Sequence, residues 1–328
     1  MDLAKDLEHW MTNLPQKLKS LPIIHLAIPG SHDSITYGIT TKSRLAPDAE
    51  RIIRDLRFLG PVLRVFMVEW SKTQLKNVLE QLNMGIRYLD FRVATKIGTD
   101  DFYFVHGLYS NGVGDVLEQI KGFLDTHPKE VIILDFQHFY AFQQSDHERL
   151  MHLVTSIFSH KLVPYSSHMT DLTLKYMQSW YQVVAIYRSD AARFGQPLLW
   201  PSACFPTPWA NTVSISKLIN FLDDRLRNRN SSVGFISQCV LTPSGWFVFK
   251  HLFSSLKSKC FVPLEKEKYR WLQKQKPGKG GVNVIISDFV GFKDANFARQ
   301  VINLNLKLLD FSHVDDTSSS MTPVDNNV

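Results

Sequence analysis

The chain has 328 residues, of which 44% are hydrophobic and 12% aromatic, and it carries a formal charge of +6. That length exceeds the commonest domain size but suits one α/β barrel, and no apolar run approaches the ~20 residues of a membrane-spanning helix. Three scattered cysteines, Cys204, Cys239 and Cys260, exclude a disulfide framework or a zinc-finger spacing and read as reduced thiols. The opening residues, MDLAKDLEHWM, carry no leader pattern. The expected location is therefore intracellular and cytoplasmic with peripheral membrane contact, the nucleus remaining open.

Short β-branched or aromatic runs alternate with helix-periodic segments, which predicts a parallel sheet with crossover helices. In chain order the strands fall at 23–28, 86–93, 102–106, 131–136, 182–187, 234–240 and 283–289, with boundaries good to ~2–4 residues. Helices are expected at 74–83, 114–126, 146–158, 215–227 and 295–308. After the first strand, a basic amphipathic stretch sets Arg51, Arg54, Arg57 and Arg64 among Ile52, Ile53, Leu56, Phe58, Leu59, Val62 and Leu63. Such a segment lies on an anionic membrane or packs its apolar face on the barrel, and packing is the favoured reading. Seven or eight strand–helix units, with no glycine-rich phosphate fingerprint after the first strand, indicate the α/β class and a single distorted TIM-type (β/α) barrel over residues 1–309. Residues 310–328 are polar and acidic and are expected to be disordered.

Barrel enzymes draw catalytic groups from the C-terminal ends of their strands. Here those ends read Gly30-Ser31-His32-Asp33, Asp90-Phe91-Arg92, His106-Gly107, Asp135-Phe136-Gln137-His138, Tyr187-Arg188, Ser237-Gln238 and Ser287-Asp288. An imidazole pair, an arginine and several carboxylates suit phosphodiester cleavage, which needs a base, an acid and a cation to hold the phosphoryl oxygens. Arginine supplies a fixed two-oxygen fork, and a carboxylate behind an imidazole sets its tautomer, a role open to Asp288 or Asp33. Structural roles compete at several positions: Asp90 and Arg92 share strand parity and can pair with each other, and Asp135 can simply accept loop amides. His25 and His138 are read as ordinary solvated or satisfied histidines.

These residues resemble the X domain of phosphatidylinositol-specific phospholipase C, and within it the small PI-PLC X domain-containing proteins. The resemblance runs from about Trp10 to Leu309 and rests on Leu26-Ala27-Ile28-Pro29-Gly30-Ser31-His32-Asp33-Ser34, Gly85-Ile86-Arg87-Tyr88-Leu89-Asp90-Phe91-Arg92, Phe104-Val105-His106-Gly107, Glu130 to Phe136, and Pro206 to Thr212. It implies that His32 is the general base acting on an inositol 2-hydroxyl, His106 the general acid at the leaving oxygen, and Arg92 the phosphate clamp. Asp288 would orient the base and Asp33 support proton transfer to the leaving group. The calcium-dependent relatives resembling this domain carry acidic ligands at the positions matching Asp90 and Arg92. Arginine at one of them implies a metal-independent enzyme without cofactor. By the same resemblance Arg188, Gln137 and Asp90 are candidate substrate-binding residues.

The implied partner is a phosphoinositide lipid at a transient membrane surface, with no nucleic acid and no known protein partner. Two aromatic groups, Trp200 to Trp209 and Trp246-Phe247-Val248-Phe249, could seat in the lipid interface, although covering the barrel is the preferred reading. Three other functions compete: a metal-dependent glycerophosphodiesterase, a catalytically silent lipid- or protein-binding module, and, least supported, nucleic-acid binding.

Overall fold

The structure is a computed structural model that describes residues 1–49 and 61–309. Eight strands form one sheet: β1 (Ile28–Ser31), β2 (Tyr88–Thr95), β3 (Phe102–His106), β4 (Leu108–Gly112), β5 (Ile132–Tyr140), β6 (Val183–Tyr187), β7 (Ile236–Gln238) and β8 (Val284–Ser287). Six of them pair in parallel, in the order β6-β5-β2-β1-β8-β7. Between β6 and β7 the ring is closed by irregular chain. Trp200 exchanges backbone bonds with Ala185 and Tyr187 on one side, while the carbonyls of Cys204 and Pro206 accept from Gly234 and Ile236 on the other. Gly234 permits this closure, since a Cβ there would lie 2.2 Å from the Phe205 ring. The result is the distorted TIM-type barrel expected.

Two strand assignments need correction. The apolar pair Ile23 and Ile24 belongs to a 3₁₀ turn following Pro22, and the first strand instead runs through Pro29 and Gly30, poor strand formers. Gly30 is required there because a Cβ would meet Tyr88 and Ile286 at 2.7 and 2.8 Å, where β1 is squeezed between its two neighbours. The run 102–106 is a strand but not a barrel unit. It pairs antiparallel with the outer end of β2 and turns at Gly107, whose φ of 69° suits glycine, into β4.

The helices are α1 (Gln16–Lys19), α2 (Pro61–Ser71), α3 (Val78–Asn83), α4 (Val113–Thr126), α5 (Gln144–Phe158), α6 (Leu174–Trp180), α7 (Ile215–Arg227), α8 (Gly245–Lys250), α9 (Val262–Lys274) and α10 (Asn296–Asn303). The helix expected from residue 74 begins only at Val78, where Asn77 and Glu80 form a capping box. Thr73 and Gln74 are bonded instead to the loop after β1. The helix expected over 295–308 tightens into 3₁₀ after Asn303, and Asn305 turns inward to exchange bonds with Ala27. Residues 51–60 of the basic amphipathic stretch, which extends to Lys76, and the whole acidic tail lie outside the described residues. Of the described part, Val68 packs with Ile39 and Leu108, Trp70 joins the main core, and Arg64 is exposed.

At the N-terminal ends of the strands the barrel has a floor. The guanidinium of Arg87, fully buried, donates to Glu130 and to the carbonyls of Leu82, Ile86 and Glu8. Glu130 in turn accepts from Thr12, and the Trp10 indole donates to the Gly85 carbonyl. The amino-terminal segment is thereby fixed under the barrel by satisfied polar contacts as well as by buried Leu3, Leu7, Trp10 and Met11.

Candidate active site

At the opposite end, β1 delivers His32 into the mouth. Its peptide N–H donates to Ser287 at the end of β8, and its carbonyl accepts from both Thr73 and Gln74. Gln74 also donates to the Ser287 carbonyl and accepts from Val290, so one buried side chain ties the ends of β1 and β8 together. The His32 Nδ1 lies 2.8 Å from Asp288 Oδ1. A carboxylate partner requires a proton on Nδ1 and leaves Nε2 as the atom facing the cavity.

The next residue is a junction. Asp33 adopts φ 41°, a left-handed conformation that its short side chain tolerates, and its N–H donates to Asp90 Oδ2. Its buried carboxylate contacts the Arg92 guanidinium and lies 3.5 Å from His32 Nε2 and 3.3 Å from His106 Nε2. Both histidines thus point their Nε2 atoms at one carboxylate oxygen. The other nitrogen of His106 is held 2.7 Å from the Ser71 carbonyl, the last residue of α2, which fixes it as a donor. Arg92 Nη2 lies 3.3 Å from His32 Nε2. A register shift between Phe91 and Arg92 pairs Arg92 with His138 and skips Gln137, re-aiming the arginine into the mouth.

Charge follows from these contacts. Burial would lower the His32 pKa, but the carboxylates of Asp33 and Asp288 outweigh it and raise the imidazole to about 9. Burial works against ionised Asp33, yet Arg92, His32 and His106 prevail and hold it near 2. Asp90, buried beside ionised Asp33, is raised to about 6. Arg92 is likewise desolvated, but Asp33 and Asp90 keep it charged. The cluster is therefore two imidazole nitrogens and a permanent cation around one anion. The ligating atoms of His32, Asp33 and Asp90 also lie within 4.8 Å of one another, which makes them the residues there that could hold a metal ion.

His32, Arg92, His106 and Asp288 line one cavity of about 280 Å³. Asp33 and Asp90 lie beneath it. Arg188 and Gln137 are placed elsewhere: Arg188 grips Asp135 through Nε and Nη2 at 2.8 and 2.7 Å and donates to the Phe205 carbonyl, and Gln137 donates to the Tyr88 hydroxyl. Asp135, which also accepts from Tyr88, completes that separate network. Sequence reasoning overlooked Ser71, Thr73 and Gln74, which position the histidines, and Asp48 and Tyr140, which line the cavity. Asp48 accepts from the Gly107 N–H. Only a polar Ser-Lys-Thr-Gln run at the end of α2 hinted at the first three.

The cavity changes character across its width. Phe66, Met67 and Trp70 from α2 face Val248, Phe249, Leu252 and Leu256 from the α8 region and form an apolar wall. Trp246, Phe249 and Phe253 remain 59%, 44% and 84% exposed at its rim, as does Trp209 at 54%. Trp200, by contrast, is buried with its indole donating to Val163, so the two ends of that aromatic loop play different parts. Among the described residues no helix is long and apolar enough to cross a membrane.

Comparison with known proteins agrees with this architecture. Residues 66–182 match the family "Phosphatidylinositol-specific phospholipase C, X domain". The chain is 39% identical to PI-PLC X domain-containing protein 3 of Homo sapiens over 304 residues, covering 91% of this chain and 94% of that one. It is 41% identical to PI-PLC X domain-containing protein 2 of Mus musculus, covering 92% and 88%. Among solved structures, the phosphatidylinositol-specific phospholipase C from Listeria monocytogenes superposes with a TM-score of 0.63 at 18% identity, covering 92% of this chain and 99% of that one. A Staphylococcus aureus phosphatidylinositol-specific phospholipase C does so at 0.65 and 16%, covering 93% and 99%. The barrel is thus shared with those bacterial proteins, and the resemblance read from the motifs is borne out: the chain belongs to the family of PI-PLC X domain-containing proteins.

Proposed function

We propose that this protein is a phosphoric diester hydrolase that cleaves phosphatidylinositol-type lipid to diacylglycerol and an inositol phosphate, through a cyclic 1,2-phosphate and without a metal cofactor. The observation that carries the reading is the convergence of His32 Nε2 and His106 Nε2 on Asp33, with the Arg92 guanidinium beside them. His32, oriented by Asp288, takes the proton of the inositol 2-hydroxyl. That oxygen attacks phosphorus and a new P–O bond forms. The bond to the glycerol oxygen breaks as His106 Nε2 delivers a proton to it. Arg92 holds the phosphoryl oxygens while charge builds on them. The attacking hydroxyl belongs to the same molecule as the phosphorus, so little entropy is lost in bringing the reactants together. The apolar wall beside His106 suits a leaving group made of hydrocarbon, and the exposed Trp246, Phe249 and Phe253 suit contact with a lipid surface.

One observation favours a second reading. His32, Asp33 and Asp90 are spaced as metal ligands can be, which would suit a metal-dependent phosphodiesterase. The fixed charge of Arg92 against Asp33 disfavours a divalent ion in the same space. Purified protein incubated with labelled phosphatidylinositol or phosphatidylcholine, with and without EDTA, separates the readings. Water-soluble label released from phosphatidylinositol only, and undiminished by EDTA at a temperature where the fold is intact, is expected. Activity abolished by EDTA and restored by metal sinks the metal-free mechanism, and no release under any condition sinks the enzyme.

A further inference from the structure

Beneath the barrel floor, Glu8, His9 and His127 bring a carboxylate and two imidazoles together with ligating atoms all within 4.8 Å of one another. His127 follows directly on α4, before β5, so the group lies at the end of the barrel opposite the catalytic mouth. Glu8 and His9 belong to the amino-terminal segment and are half-buried.

The hydrogen-bonding pattern aims ligand atoms at one shared position in this cluster. Nδ1 of buried His127 lies 2.8 Å from the Phe123 carbonyl, which can only accept, so that nitrogen carries a proton. The Thr126 hydroxyl beside it points its own donor at the same carbonyl, 3.0 Å away. Nε2 is then 2.9 Å from Glu8 Oε1, so a ring lone pair and a carboxylate oxygen face one shared position. His9 sets its ring 4.6 Å from that of His127 at a 30° tilt and turns Nδ1 toward Asp6 at 3.3 Å, leaving Nε2 to act as a ligand. One divalent ion would satisfy both rings and the carboxylate. Each imidazole already has the outer partner that ligating histidines use to fix their tautomer, a carbonyl for His127 and a carboxylate for His9.

We propose that Glu8, His9 and His127 form a binding site for a divalent transition-metal ion, zinc best matching the two-imidazole, one-carboxylate donor set. The ion clasps the amino-terminal segment to the end of α4. It takes no part in the chemistry at the mouth. The full chain, stripped with a chelator and dialysed, would be titrated with Zn²⁺ by calorimetry while its Tm is followed. One equivalent should bind and raise Tm, because a ligand held only by the folded state stabilises it. His9→Ala and Glu8→Gln, both at half-exposed positions that the fold tolerates, should weaken binding by about tenfold or more and abolish the rise in Tm. His32→Ala should retain both, which separates this site from the ligating set at the mouth. The proposal is overturned by a stripped wild-type chain that neither binds Zn²⁺ nor changes Tm, by binding unaltered in His9→Ala and Glu8→Gln, or by binding lost in His32→Ala.

Discussion

The barrel carries an arginine–carboxylate pair at each end, and the two are finished differently. At the floor, Arg87 is fully buried, and all of its nitrogens are engaged by Glu130 and three carbonyls. At the mouth, Arg92 meets Asp33 and His32 but keeps 24% of its side chain exposed to the cavity, and Asp33 is shared among one guanidinium and two imidazoles. A closed network holds chain segments together, whereas an incomplete one retains donors for something else. Arg188 belongs with Arg87 by this measure, since Asp135 and backbone carbonyls occupy its fork.

The sharpest way to break this contrast is to alter both ends. His32→Ala and His106→Ala should each lower turnover by roughly 10²–10⁴-fold in protein that remains folded. A variant of either that keeps its rate removes that histidine from the mechanism. Arg87→Met should do the opposite: leaving Glu130 buried and unpaired costs about 3–5 kcal/mol, read as a lower urea midpoint, with the specific activity of the folded fraction preserved. Arg92→Lys should cut the rate by roughly one to two orders of magnitude with little change in unfolding, because a point charge cannot reproduce the two-oxygen fork. If Arg92→Lys unfolds the chain instead, the mouth pair is structural like the floor pair and the contrast fails.

Acidity gives a gentler test. His32 works as a base only when neutral, so with its pKa raised to about 9, kcat/KM should climb with pH up to that value. Stability runs the other way. A folded pKa above the ordinary 6.5 contributes stability that is complete below 6.5 and lost as pH rises through 9. Asp90, raised from 3.8 to about 6, acts in the same sense at lower pH. Wild type should therefore lose Tm between pH 6 and 9 by more than His32→Ala does, and equal losses would show that His32 is not held protonated by its neighbours.

The candidate site residues were legible because they are polar residues placed at the ends of apolar strand runs, where burial alone does not account for them. His32 after Gly30, Arg92 two residues from Asp90, and Asp288 closing the last strand all stood out this way. What stayed hidden depends on the third dimension. Pro29 and Gly30 obscured β1, and at Gly30 pressure from Tyr88 and Ile286, not strand propensity, selects the residue. The closure by Trp200, Cys204 and Pro206 has no strand pattern, since only isolated backbone bonds complete it. Gln137 and Arg188 do not line the cavity, their polar atoms being taken up by Tyr88 and Asp135. Ser71 acts through its carbonyl, which no side-chain pattern reveals.

The central claim is that His32 activates the substrate's own hydroxyl while His106 protonates the leaving oxygen, and the first phosphorus product tests it most directly. Phosphorus NMR of early time points with phosphatidylinositol should show the cyclic inositol 1,2-phosphate resonance before any monoester, and phosphatidylcholine, lacking the neighbouring hydroxyl, should give no product. Monoester appearing first, with no cyclic species at any time, would contradict the account.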